Sequence, residues 1–347
     1  MKTLIYSLCF LLPTTLSAQS YVKDVLKKYE DSVKDYGIVA LVSEGDLVST
    51  AAIGEADNGT PMTDEHKFCI GSITKTYTAT TIFRLQDMGK LNINDSIGKY
   101  ITLDNEYISP NITIRQLMNH SSGIKDFGTV ELLNTVLSRP DKYYTPDYCI
   151  GLIDTFDFLP GAKHEYSNSN YLLLALIIEQ VAQQPLPFVY QDLLFKPWGL
   201  DNTYPYYSKA IPGMAHPMFR GKDLFDVAYM KPVNDISIGD GNIVTTASEL
   251  HRFFTRLVRG KVVLMEKSYK QMTAFEKGEK TAEYGCGIFR KEVGGKELIY
   301  HTGRQASYVA TAVYVPAEDK TVIVLTNNMD DTFADLVVNE LLGVKFY

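Results

Sequence analysis

Phe68-Cys69-Ile70-Gly71-Ser72-Ile73-Thr74-Lys75 runs directly into Thr76-Tyr77-Thr78-Ala79-Thr80-Thr81-Ile82-Phe83-Arg84-Leu85. An apolar, strand-like run ending at Ile70 meets Gly71 and Ser72, and a helical pattern follows until Gly89 stops it. Ser is a favoured helix-start residue, and Ile73, Tyr77, Thr80 and Phe83 recur at helical spacing. The pattern predicts Ser72 on or just inside a helix N-terminus, where unpaired N–H groups favour developing negative charge. Lys75, three residues on, shares its face within one turn. A hydroxyl with an ammonium held over it is the start of a nucleophile.

The pair alone decides little, because Ser-x-x-Lys occurs four times, at Ser20/Lys23, Ser72/Lys75, Ser96/Lys99 and Ser122/Lys125. Ser20 lies near the expected mature N-terminus, and Ser96 and Ser122 fall in polar, Gly-containing turns. Only Ser72 has apolar sequence before it and a long helix after it.

A chain of 347 residues, 45% hydrophobic, can bury a large core as one domain or two intimately packed ones. Met1-Lys2, the apolar run Leu4 to Leu12, Pro13 and Leu16-Ser17-Ala18 read as a secretory signal peptide over residues 1–18. That predicts a periplasmic or secreted protein with no stable membrane span after cleavage. Cleavage removes Lys2 and no acid, so the formal charge moves from −7 to −8. An acidic chain is a poor partner for nucleic acid or an anionic membrane surface. Cys69, Cys149 and Cys286 remain, an odd number, so at least one thiol is free and the fold must be held by its core.

Residues 21–35 read as a charged amphipathic helix. Residues 38–42 and 47–53 flank Ser43-Glu44-Gly45-Asp46, a hairpin signal. From about 90 to 255 helices alternate with turns. Ile112 to His120 reads as a short helix stopped by Ser121-Ser122-Gly123. Asn170 to Ala182 is apolar nearly all round, as a buried helix should be. Three strands follow, at 297–301, 308–315 and 321–326, and a helix closes the chain over 331–342. The expected architecture is therefore α/β, an antiparallel sheet of about five strands built from both chain ends. Residues 19–68 and 255–347 would form that part, and 69–254 a mainly helical insertion, with the active site between them.

Two further motifs complete a constellation: Tyr166-Ser167-Asn168 before the buried helix, and His301-Thr302-Gly303 ending an apolar strand. Ser72-x-x-Lys75, Tyr166-x-Asn168 and His301-Thr302-Gly303, in that order, resemble the serine β-lactamase and penicillin-binding protein superfamily. The branch is the class C β-lactamase-like one, with its D-alanyl-D-alanine carboxypeptidase, D-aminopeptidase and esterase relatives. Ile112–Ile124, Leu159–Glu179, Phe195–Leu200 and Gly239–Thr246 are similar to family segments as well.

The resemblance implies a serine hydrolase acting on amide or ester bonds of a small-molecule or peptide substrate, with no cofactor and no metal. Ser72 would be the nucleophile, since a neutral hydroxyl needs a base within reach. Tyr166, Lys75 or the coupled pair would take its proton, with the phenol's pKa lowered by the ammonium. The backbone N–H groups of Ser72 and Arg304 would hold the oxyanion, and Asn168 would bond Lys75 and the substrate amide. His301, Thr302 and Gly303 would line the substrate site. A His at 301, where β-lactamases usually carry Lys, ranks β-lactam hydrolysis below peptidase or esterase activity. A substrate-binding relative without turnover is the other alternative. His66, His164, His216 and His251 show no metal-ligand spacing, and His120 reads as a helix-end hydrogen-bonding residue. Cys69 and Cys286 read as packing residues.

Overall fold

The computed structural model describes residues 14–347 apart from 140, 206–210, 226–229, 261–262, 278–281 and 331. Most of the leader expected over 1–18 lies outside the described residues. Helix α1 (Thr14–Lys27) starts earlier than the charge pattern predicts, and a short turn, Glu30–Ser32, follows it. Its Val22, Val25 and Leu26 are buried. The predicted hairpin forms from β1 (Gly37–Glu44) and β2 (Leu47–Asp57), with Gly45 in the left-handed region at φ +60.

After a helical middle region, strands return as β3 (Phe289–Val293), β4 (Lys296–Gln305), β5 (Tyr308–Val315) and β6 (Lys320–Thr326). β6 pairs with β1, Ile323 opposite Leu41, which ties the two chain ends into one antiparallel sheet. The order is Thr60–Pro61, β2, β1, β6, β5, β4, β3, Glu283–Tyr284, Glu276–Lys277. Nine strands therefore replace the expected five or so. The four additions are two to five residues long, too short for an alternating pattern to register.

Both faces of the sheet are covered, so its central strands read as unbroken apolar runs rather than as alternation. Tyr308, Ala310, Ala312 and Tyr314 of β5 join the larger core. Val313 and Val315 join the smaller one, beneath α1 and the C-terminal helix α6 (Thr332–Leu342). That larger core also takes in Tyr77 of α2 (Thr74–Asp87) and Leu172 of α4 (Asn168–Ala182), so sheet and helical regions share it. Between those two helices in sequence lies α3 (Ile114–Met118), opened by a capping box of Thr113 and Gln116. Helix α4 ends at Gln183 in the left-handed region, φ 56, two residues before Pro185. Helix α5 (Ala247–Val258) begins on a Thr246 cap. Among the described residues no single helix is long and apolar enough to cross a bilayer.

Helix α2 is buried although five of its residues are Thr. Thr78, Thr80 and Thr81 return their hydroxyl protons to the carbonyls of Thr74, Thr76 and Tyr77. Thr76 also donates to the Gly287 carbonyl at 2.7 Å. Satisfied hydroxyls let a β-branched, polar-looking segment serve as a core helix.

Leu325, fully buried in β6, should cost about 2–5 kcal/mol when replaced by Ala, whereas exposed Leu133→Ala should change stability by no more than about 0.5 kcal/mol. Equilibrium urea unfolding checks both.

Candidate active site

Gly71–Ile73 makes one tight turn that feeds α2, with Gly71 at φ +50. The turn is held on one side by Ile70 N–H donating to the Ile243 carbonyl at 3.0 Å. Ile243 N–H in turn donates to Thr74 Oγ1 at 3.1 Å. On the other side β4 presses against it. A Cβ at Gly303 would lie 1.9 Å from the Ile70 carbonyl oxygen and 2.8 Å from Ser72 N, and one at Gly71 would lie 2.5 Å from Arg304 N. Only glycines at 71 and 303 let the two backbones approach so closely. The amides of Ser72 and Arg304 are thereby brought to one edge.

Lys75 is the second residue of α2 and has no exposed surface. Its ammonium donates to Ser72 Oγ at 3.1 Å, Asn168 Oδ1 at 2.8 Å and the Asp240 carbonyl at 2.9 Å. The Asp240 carboxylate oxygen Oδ2 lies 3.7 Å away. The Tyr166 ring centroid is 5.0 Å from Nζ, and the Tyr166 hydroxyl hydrogen-bonds both Ser72 and Lys75. The three motifs, 93 residues apart and more in sequence, thus meet around one hydroxyl.

The electrostatics differ from the expectation in one respect. Burial pushes the Tyr166 phenol up, and the opposing pull of Lys75 and the bonds to Ser72 and Lys75 do not reverse that. Burial works to lower Lys75, but Tyr166 and Asp240 outweigh it and hold the ammonium above its ordinary range. The resting pair is a cationic Lys75 and a neutral phenol. The predicted net lowering of Tyr166 does not occur, because desolvation of a phenolate costs more than one nearby cation returns.

His120 and Asp126 border this site: His120 is the helix-end hydrogen-bonding residue the sequence predicts, though its place beside Tyr166 is not legible there, and the role of Asp126 is missed altogether. His120 sits at φ 58 just past α3, fully buried, with its ring 4.3 Å from that of Tyr166. Its Nδ1 accepts from Ser167 N–H at 3.2 Å and faces Asn170 Nδ2 at 3.1 Å, and its carbonyl accepts from Glu165 N–H. It therefore pins the loop that carries Tyr166, as a neutral ring held well below its ordinary pKa, first by burial and then by Lys75. Asp126 Oδ2 accepts from Asn168 Nδ2 at 3.0 Å, which fixes the amide so that its oxygen faces Lys75. Nothing around Asp126 distinguishes it in one dimension.

His301 is placed otherwise than its motif suggests. It is 1% exposed, packed against Tyr284 and Phe289, with Nδ1 2.7 Å from the Thr302 carbonyl. Burial lowers it to about 3, so it forms a neutral wall behind the site rather than a cation facing a substrate. Thr302 is half-buried and Gly303 buried. The Arg304 side chain is exposed, and its charge acts on Asp335 of α6 and on Tyr347. Cys69, Cys149 and Cys286 are free, buried, and pushed up to about 12 by burial, so they remain thiols. Tyr308 is a core residue, its hydroxyl bonded to the Ala215 carbonyl at 2.6 Å.

The Beta-lactamase family model matches residues 25–343, nearly all of the described chain. The chain belongs to the beta-lactamase family. Among curated members it is 28% identical over 277 residues to the putative penicillin-binding protein PbpX of Bacillus subtilis, covering 76% of this chain and 64% of PbpX. It is 26% identical over 286 residues to a D-aminopeptidase of Brucella anthropi, covering 77% of this chain and 51% of that one. The chain thus spans about half to two thirds of the length of these relatives. Among solved beta-lactamase-like folds, a D-amino acid amidase from Ochrobactrum anthropi SV3 superposes with a TM-score of 0.80 at 20% identity, covering 95% and 98% of the two chains. A D-stereospecific amidohydrolase from Streptomyces sp. gives 0.78 at 22% identity, covering 92% and 97%.

Two outcomes follow from this geometry. Gly303→Ala forces β4 away from the Ser72 turn and should slow phosphonylation of Ser72 by a fluorophosphonate at least about tenfold, measured by intact mass. His301 binds its proton less readily folded, about 3, than unfolded, about 6.5. Its contribution to stability is therefore full above about 6.5 and is lost as pH falls toward 3. The stability difference between wild type and His301→Gln should shrink over that window by at most about 1.4 kcal/mol per pH unit, measured by urea unfolding at a series of pH values.

Proposed function

We propose that this protein is a serine hydrolase that cleaves amide or ester bonds through an acyl-enzyme on Ser72. The observation that carries the reading is the bonding of one Ser hydroxyl to both a buried ammonium and a buried phenol, beside a strand edge that only glycine permits. Ser72 Oγ attacks the carbonyl carbon while its proton passes to the Lys75–Tyr166 pair, in the form that has given one proton to solvent. The backbone N–H groups of Ser72 and Arg304 hold the tetrahedral oxyanion. The pair returns the proton to the departing amine or alcohol as the bond to it breaks. Water gives a proton to the same pair as it attacks the acyl carbon, and the pair passes that proton to Ser72 Oγ as the ester bond breaks, releasing the acid and a free Ser72. Asn168 keeps one side-chain N–H proton for the substrate amide, the other being spent on Asp126.

The substrate class we assign is D-amino-acid amides and peptides of the peptidoglycan type, with short acyl esters as the next class. The support is the character of the relatives, named as D-aminopeptidase, D-amino acid amidase and D-stereospecific amidohydrolase. A neutral, buried His301 offers no cation to a β-lactam carboxylate, which argues for peptidase or esterase chemistry over β-lactamase chemistry. On the leader-like residues 1–18 we assign the reaction to the periplasm or the exterior.

A screen of D- and L-amino-acid amides, D-alanyl peptides, short acyl esters and nitrocefin tests this. Turnover should favour the D-configured amides, and Ser72→Ala should lose about a thousandfold or more of it. A Ser72→Ala variant with full turnover would refute the nucleophile, and a preference for nitrocefin would replace the substrate class.

A further inference from the structure

Asp240 occupies the turn between Ser237 and Asn242, where its N–H and that of Gly241 donate to the Ser237 carbonyl at 3.3 and 3.0 Å. Gln305 of β4 braces the turn by donating to Ser237 Oγ at 2.8 Å. The turn supplies Lys75 with a carbonyl, which any residue at 240 would do. The carboxylate is a separate matter. Asp240 is 8% exposed, its Oδ1 is buried with no hydrogen-bond partner among the described residues, and Oδ2 lies 3.7 Å from Lys75 Nζ. The ammonium protons are already shared among Ser72, Asn168, the Asp240 carbonyl and the Tyr166 hydroxyl. The side chain therefore acts on Lys75 as a charge rather than as an acceptor, and a buried carboxylate is otherwise costly.

We infer that Asp240 is a positioning residue for the hydrolysis proposed above: its carboxylate holds the Lys75–Tyr166 pair in the more protonated form and so sets the pH at which Ser72 becomes reactive. A negative charge beside two coupled groups stabilises whichever state carries the extra proton. Lys75 faces Asp240 from α2, Tyr166 from the loop before α4, and Asp126 from beyond Asn168. His120, Tyr171, Tyr284 and His301 also face the pair, and burial keeps each of them uncharged. The Cys69 and Cys149 thiols nearby are kept neutral by burial, and Gln305 on the β4 side is uncharged. Burial raises the Asp240 carboxyl to about 6 against the opposing pull of Lys75. Its charge is thus present at neutral pH and above, where the pair gives up its proton. The deprotonated pair is rarer than it would be beside an uncharged residue, and correspondingly the stronger base.

The inference rests on Ser72 being the nucleophile, and one experiment separates the two claims. The rate of fluorophosphonate labelling of Ser72 is measured against pH by intact mass and peptide mapping, for the wild type, Asp240→Asn and Asp240→Ser. Labelling of the wild type at Ser72 establishes the nucleophile. With the negative charge gone, the ascending limb of the profile should move to lower pH by about one unit or more in both variants. A limb that stays in place overturns the inference while leaving the nucleophile standing, and so does a rate lowered equally at every pH, the mark of a merely structural residue. Circular dichroism checks that the variants fold, and failure of both to fold assigns the carboxylate to the fold and likewise overturns it. Absence of wild-type labelling at Ser72 overturns both claims.

Discussion

An ammonium with no exposed surface, donating all three of its protons, is the constraint from which the rest of the site follows. Lys75 can be buried only if each proton finds an acceptor, because an unpaired buried cation costs several kcal/mol. The acceptors come from three separate places: Ser72 in its own turn, Tyr166 and Asn168 around the start of α4, and the carbonyl of Asp240. Burying the cation thus obliges the turn, the helix and the loop to converge. The charge that binds them together also faces the Ser72 hydroxyl, the nucleophile we propose.

The sheet supplies the second half of the arrangement. Its outer strands come from opposite ends of the chain and close through β1 and β6, which leaves β4 free to lie against the Ser72 turn. No side chain at 71 or 303 stands between the two backbones. Two amides can then lie close together without any side chain being enlisted, which is what the proposed oxyanion site asks of them. Beside them, His120, Tyr284 and His301 form a buried aromatic wall. That wall explains why Tyr166 rests as a phenol.

How much of this is legible in one dimension depends on the range of the interaction. Hairpin, buried helix and C-terminal strands are written in local periodicity, and the order of the three motifs carries the family. The four short strands are not legible, since two to five residues hold no period. The burial of α2 is half-hidden, because its threonines look polar until their hydroxyls are seen to bond one turn back. Within the site Ser72, Lys75, Tyr166 and Asn168 are marked by spacing. His301 is marked by the same means, yet is buried against Tyr284 and Phe289, because strand residues alternate faces and the motif does not say which face each residue takes. Asp126 and the Asp240 carboxylate carry no signal, since their effect depends on a lysine distant in sequence. The direction of the Tyr166 shift was likewise out of reach, as it depends on how much water the fold removes.

The proton state of Lys75 is therefore the most direct point of test. In protein labelled with nitrogen-15 lysine, NMR titration of the side-chain nitrogens should show the Lys75 signal as an ammonium throughout the neutral range, protected from exchange and displaced in Asn168→Ala. A Lys75 nitrogen that is a free amine at pH 7, or that exchanges like the surface lysines, would contradict the account.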